Sequence, residues 1–175
     1  MIEVEIRSFI SKKQYEHLIS HFKQHAKFLG EDHQETIYYD APVDVRIQKN
    51  DTYAKVWLKK GKIHEDAREE IEIKVGKEDF DKLHQLFSSL GYAVAIKWLR
   101  TRNTFLWNDV TVTIDDTAGY GCIIELEKLS TPEETEETLK QLQYRFAELR
   151  IPITPKEEFE KKFLWYKGHW REIVQ

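Results

Sequence analysis

The chain has 175 residues, long enough to bury a core of its own without disulfide or metal staples, and it is expected to form one domain over residues 1–175. Its 27 basic and 31 acidic side chains leave a formal charge of -4, which argues against a dedicated nucleic-acid binder, and a single cysteine, Cys122, excludes an intrachain disulfide. No run of 18 apolar residues and no signal-peptide pattern is present, so a cytoplasmic protein without a membrane partner is expected, and 13% aromatic residues are too many for a disordered chain.

Ile2-Glu3-Val4-Glu5-Ile6-Arg7 alternates apolar and charged residues and reads as a strand. Ser11 and Gln14 then form a capping box, opening an amphipathic helix that carries Tyr15, Leu18, Ile19, Phe22, Ala26 and Leu29, with Gly30 as its stop. Val45/Ile47, Val56/Leu58 and Ile71/Ile73/Val75 mark three strands, with turns at Asn50-Asp51 and Lys60-Gly61. A second helix is predicted from Lys77 to Leu90, with Phe80, Leu83 and Phe87 on one face and Gly91 beyond it. Val110/Val112/Ile114 and Ile124/Leu126 follow a turn at Asn108-Asp109. A third helix starts at Thr131-Pro132 and carries Leu139, Leu142, Phe146 and Leu149, and a fourth runs from about Lys156 to Lys167. Short turns between alternating segments favour hairpins, so the class is α+β with an antiparallel sheet. A weak internal echo links Glu3 to Arg7, Glu70 to Lys74 and Glu125 to Lys128, each ahead of a helix.

Side chains two apart share a strand face, so each strand carries a charged face. Glu3, Glu5 and Arg7 share one; Arg46 lies beside Gln48, and Lys55 beside Lys59. Arg68, Glu70, Glu72 and Lys74 form another, and Arg100 and Arg102, Asp115, and Glu125 with Glu127 complete the set. A wetted outer face explains such charges strand by strand. Three repeats of Glu-x-Glu, and helices whose apolar faces need an apolar partner, favour the charged faces turned into an antiparallel barrel of about eight strands. Paired carboxylates suit a hard divalent cation such as Mg2+ or Mn2+, and arginines with lysines suit a polyphosphate, so the pattern points to a metal-bound polyphosphate as ligand. His17, His21 and His25 recur at four-residue spacing as a metal site would, but read as a solvated stripe, and the tryptophans read as core rather than as a base pocket.

Glu3-Val4-Glu5-Ile6-Arg7 resembles the N-terminal Glu-x-Glu-x-Lys signature of the CYTH superfamily of triphosphate tunnel metalloenzymes. In the family's order follow Tyr38-Tyr39-Asp40, Trp57-Leu58-Lys59-Lys60-Gly61, Arg68-Glu69-Glu70-Ile71-Glu72, Arg100-Thr101-Arg102, and Asp115 to Gly121 with Glu125-Leu126-Glu127. The resemblance implies an eight-stranded antiparallel tunnel, helices outside it, a C-terminal helix closing one end, and a Mg2+- or Mn2+-dependent reaction on a triphosphate. Carried over, Glu3, Glu5, Glu70, Asp115, Glu125 and Glu127 are the metal side. Arg7, Arg46, Lys55, Lys59, Arg68, Arg100 and Arg102 hold the triphosphate. Glu5, Arg7 and Glu72 are the catalytic candidates, Glu72 being a further metal candidate. Two positions depart from the family: Gln48 where a second arginine is common, and Arg7 in place of lysine. The implied activity is hydrolysis of an inorganic or organic triphosphate by a monomer or homodimer. The alternatives are a class IV-type adenylate cyclase or a non-catalytic polyphosphate-binding module.

Overall fold

A computed structural model describes residues 2–60 and 67–174, Ala67 and Arg68 by their backbone alone. Among these residues nine strands form one sheet: β1 (Ile2–Ile10), β2 (Lys27–Tyr39), β3 (Asp44–Lys49), β4 (Tyr53–Lys59), β5 (Ala67–Arg68), β6 (Glu70–Gly76), β7 (Val94–Trp107), β8 (Val110–Thr117) and β9 (Gly121–Ser130). Every pairing is antiparallel, in the order β5-β1-β9-β8-β7-β2-β3-β4-β6. The two ends of that order are neighbours in the chain, for only Glu69 separates β5 from β6. β5 pairs with β1, Glu3 facing Arg68, while β6 pairs with β4, Lys59 facing Glu70. Taken together, β5 and β6 are the eighth stave of the expected tunnel. Among the described residues the ladder at that seam is two residues long, and the sheet is a strongly curved tunnel.

Four helices accompany the sheet: α1 (Lys12–His25), α2 (Phe80–Ser89, entered through a 3-10 turn at Lys77–Asp79), α3 (Thr135–Glu148) and α4 (Lys156–Ile173). The capping box is formed, Ser11 Oγ accepting from the Gln14 N–H at 3.2 Å and Gln14 Oε1 from the Ser11 N–H at 2.8 Å. α1 and α3 pack Leu18, Phe22, Leu142 and Phe146 on the outer face of β1, β8 and β9. α2 presses Phe80 against Ile37, Ile47 and Ala54. α4 lies against Ile96, Trp98 and Tyr120 through Phe159, Tyr166 and Trp170. The outer face of β6 departs from this plan, with Ile71 and Ile73 exposed.

Several boundaries differ from the sequence reading. The first helix ends at His25, not at Gly30, because Lys27 enters β2, which pairs with β7 along almost its whole length. Glu31-Asp32-His33-Gln34-Glu35 offers no apolar alternation on either face, so a period-two signal is absent there. Gly30, at φ 147°, occupies a register shift in β2 where a side chain would be strained. α3 begins four residues after Thr131, whose carbonyl accepts the Thr135 hydroxyl at 2.9 Å in a preceding turn. α4 runs on to Ile173. Asn108 takes φ 58° in the β7–β8 hairpin, as the Asn-Asp signal requires. Gly61 of the expected Lys60-Gly61 turn lies outside the described residues.

Phe22 is fully buried with its ring 5.6 Å from Phe105 and 5.5 Å, edge-on, from Trp107. Phe22→Ala is expected to remove about 3–5 kcal/mol of stability in urea denaturation. A loss below about 1 kcal/mol would mean that α1 does not anchor this face.

Candidate functional site

The inward faces of the strands enclose a cavity of about 380 Å³. Every site residue expected from the sequence lines it except Arg68, whose side chain lies outside the described residues. The alternation accounts for this convergence: with Val4, Ile6, Val112, Ile114, Ile124 and Leu126 committed to the outer core, the intervening charged positions can only point inward.

Acidic groups concentrate on the β1–β9 ladder, where Glu5 faces Glu127 and Arg7 faces Glu125. Lys59 reaches across the seam to this wall from β4. Its ammonium stands 2.6 Å from Glu3, 3.2 Å from Glu70 and 3.6 Å from Glu5. Burial opposes the Lys59 charge, but Glu5, Glu3 and Glu70 outweigh it and raise its pKa above the usual lysine value. Arg7 lies 3.9 Å from Glu5 and stacks on the Phe159 ring of α4 at 4.9 Å.

Next to this ladder, on β8, Asp115 holds two arginines of β7. Its Oδ1 accepts from Arg102 Nε at 2.8 Å, and its Oδ2 from Arg102 Nη2 at 2.7 Å and Arg100 Nη1 at 3.1 Å. Burial works against the Asp115 carboxylate, yet Arg100 and Arg102 hold its pKa below the normal range. The same crowding lowers the Arg100 pKa, through burial first and then Arg102. Arg102 also reaches Glu125 at 3.7 Å. Asp44 grips Arg46 in a bidentate pair, 2.6 and 2.5 Å, with the guanidinium 4.2 Å above the Tyr38 ring. Lys55 is paired with Glu72 at 2.5 Å, and with Lys74 it overcomes burial to lower the Glu72 pKa.

Gln48, which stands where the resemblance leads one to expect a second arginine, is buried and donates to Thr36 Oγ1 at 2.8 Å and Gln34 Oε1 at 3.2 Å. Gln34 Oε1 also accepts from Arg100 Nε at 2.9 Å and Nη2 at 2.5 Å. Gln48 therefore braces the residue that aims Arg100. Gln34 was not among the expected site residues; reading Asp32, Gln34, Thr36 and Tyr38 as one strand face would have placed it. Trp98 and Thr117 were also missed as site residues. Both line the cavity, and Trp98 Nε1 and Thr117 Oγ1 are buried without a hydrogen-bond partner among the described residues. His17, His21 and His25 lie on α1, outside the tunnel, with the His21 and His25 rings stacked at 4.4 Å.

Among the described residues no three carboxylate, imidazole or thiol groups already converge as a metal cage. The donor set nevertheless fits a hard cation: it is all oxygen, and the Lys59 ammonium already stands among Glu3, Glu5 and Glu70 as a positive charge. Glu127 has the opposite problem. Burial, then Glu3 and Glu125, push its carboxyl pKa up to about 8.

An acid raised from 4.5 to about 8 keeps a proton in the folded state that the unfolded chain releases, so its contribution to stability falls as pH rises through that window. In chelator-treated buffer, Glu127→Gln is expected to melt above the wild type near pH 8.5, with the gain shrinking toward pH 5. A gain that is constant with pH would assign the raised carboxyl to another residue.

The model of the CYTH domain matches residues 1–164. A protein of Methanocaldococcus jannaschii, provisionally named an adenylate cyclase, is 32% identical over 164 residues, covering 86% of this chain and 91% of its own. A solved structure from Pyrococcus horikoshii superposes with a TM-score of 0.73 at 26% identity, covering 86% and 92% of the two chains. One from Hippeastrum, described as an adenylyl cyclase with a dominant triphosphatase activity, has a TM-score of 0.61 at 18% identity, covering 86% and 88%, and shares the fold.

Proposed function

Because this chain belongs to the CYTH domain family, we propose that it hydrolyses a triphosphate, inorganic or organic, held in the tunnel with Mg2+ or Mn2+. The observation that carries this reading is the division of one 380 Å³ cavity between an acidic ladder on β1 and β9 and a basic wall ordered by Asp115. A triphosphate needs both, cations for its oxygens and carboxylates for its accompanying metal.

Glu3, Glu5, Glu125 and Glu127 would hold the metal, with Glu70 beside them. A divalent ion there supplies a Lewis acid for phosphate oxygens and lowers the pKa of bound water. Arg100 and Arg102 keep their forks fixed by Asp115 and Gln34, so little side-chain entropy is lost when they meet phosphate oxygens. In this arrangement Asp115 serves the site by orienting arginines. Arg7, between Glu5 and the Phe159 ring, would stabilise the charge that develops as the terminal phosphoryl departs. Glu5, among the most buried of the carboxylates, would orient the attacking water. The Trp98 N–H and Thr117 hydroxyl, without a partner among the described residues, would be further donors for an oxygen-rich guest.

A second reading, cyclisation of ATP with release of pyrophosphate, draws on the name of the 32% identical relative. Incubating the protein with tripolyphosphate, ATP and thiamine triphosphate in Mg2+ or Mn2+, and resolving the products, separates the two. Orthophosphate marks hydrolysis, cyclic AMP marks cyclisation, and absence of both products denies catalysis on these substrates. Removing the metal with chelator is expected to abolish turnover. Glu5→Gln is expected to lower kcat by about 10²–10⁴-fold; full activity in either case would remove the metal and the carboxylate wall from the chemistry.

A further inference from the structure

The cations of the tunnel divide by the carboxylates that hold them. Arg100 and Arg102 are gripped by Asp115, Arg46 by Asp44, and Lys55 by Glu72. Lys59 differs, because its ammonium stands at 2.6, 3.2 and 3.6 Å from Glu3, Glu70 and Glu5, all three proposed to lie on the metal side. Its side chain is only 11% exposed, so water screens these contacts little.

A divalent ion reaching the same oxygens would meet the ammonium at contact distance, where like charges repel, and the carboxylates cannot be turned fully toward both. One cation must yield. From this conflict we infer that Lys59 is the resident counter-ion of the metal-free tunnel, withdraws from Glu3, Glu5 and Glu70 when a divalent cation takes them, and only then joins the cations that hold phosphate. The inference rests on the metal side of the proposed function. The residue type suits a charge that moves: lysine is a point charge on a flexible stem, whereas the Arg102 fork is fixed on Asp115 by two hydrogen bonds. Space for the swing is present, since Lys59 borders both the tunnel and a cavity of about 420 Å³ beside the β2–β3 connection. The arrangement also sets an order of binding. While Lys59 is committed to carboxylates the phosphate grip is incomplete, so metal loading strengthens triphosphate binding, and triphosphate strengthens metal binding in return.

The test begins with Mn2+ binding to the triphosphate-free protein, measured by calorimetry for the wild type, Lys59→Met and Lys55→Met. Removing the competing ammonium is expected to tighten Mn2+ binding about tenfold, while Lys55→Met, which takes the same charge from the same cavity but releases Glu72, changes it less than about threefold. Lys59→Met leaves three carboxylates uncompensated and costs stability, so the wild type supplies a second readout. Acetic anhydride labelling, read peptide by peptide by mass spectrometry, is expected to rise severalfold at Lys59 on saturation with Mg2+ and to stay constant at Lys55. Equal tightening in both variants, no tightening in a folded Lys59→Met, or Lys59 labelling indifferent to Mg2+ would overturn the inference. Tightening and labelling as expected, with no turnover of any triphosphate by the wild type, would sink the proposed hydrolysis and leave this role of Lys59 standing.

Discussion

The fold depends on how a narrow cavity tolerates its charges. An unpaired ion in such a space loses several kcal/mol of hydration, so each must find a partner of opposite sign or, as at Glu127, keep a proton. Lys59 answers this at the most demanding point, drawing together Glu3 and Glu5 from one end of the sheet and Glu70 from the other. One ammonium thereby neutralises part of the acidic wall and ties the two ends of the sheet order across the seam.

The basic wall solves the same problem with the signs reversed. Asp115 satisfies two guanidiniums at once, Asp44 satisfies Arg46, and Gln34 takes three donors on one oxygen. Buried polar networks of this kind fix side chains in one arrangement, because any rotamer change strands a donor. The arginines are thus set before any ligand arrives. Gln48 belongs to this logic: its amide donates to the Gln34 oxygen that also accepts from Arg100.

Much of the site was legible in the sequence because the period of two left no freedom. Once Val4, Ile6, Ile124 and Leu126 are assigned to the core, Glu3, Glu5, Glu125 and Glu127 must face the other way. What was not legible had no such partner signal. β2 is polar on both faces through residues 31–35, so its strand character comes from pairing with β7 and not from its own pattern. Gln34 went unnoticed as a site residue for that reason. Charge alone also could not separate Asp115, which holds arginines, from Glu127, whose neighbours are carboxylates; that distinction is set by distances across strands.

The short ladder between β5 and β1 has a mechanical meaning. Backbone hydrogen bonds hold neighbouring strands at a nearly fixed spacing of about 4.8 Å, whereas ion pairs keep most of their attraction over a wider range of separations. Around most of the tunnel the circumference is therefore inextensible, and at the seam, where among the described residues a two-residue ladder is supplemented by Lys59, it has give. The hoop is stiff everywhere except at its clasp, and the clasp is built from the carboxylates that face the cavity.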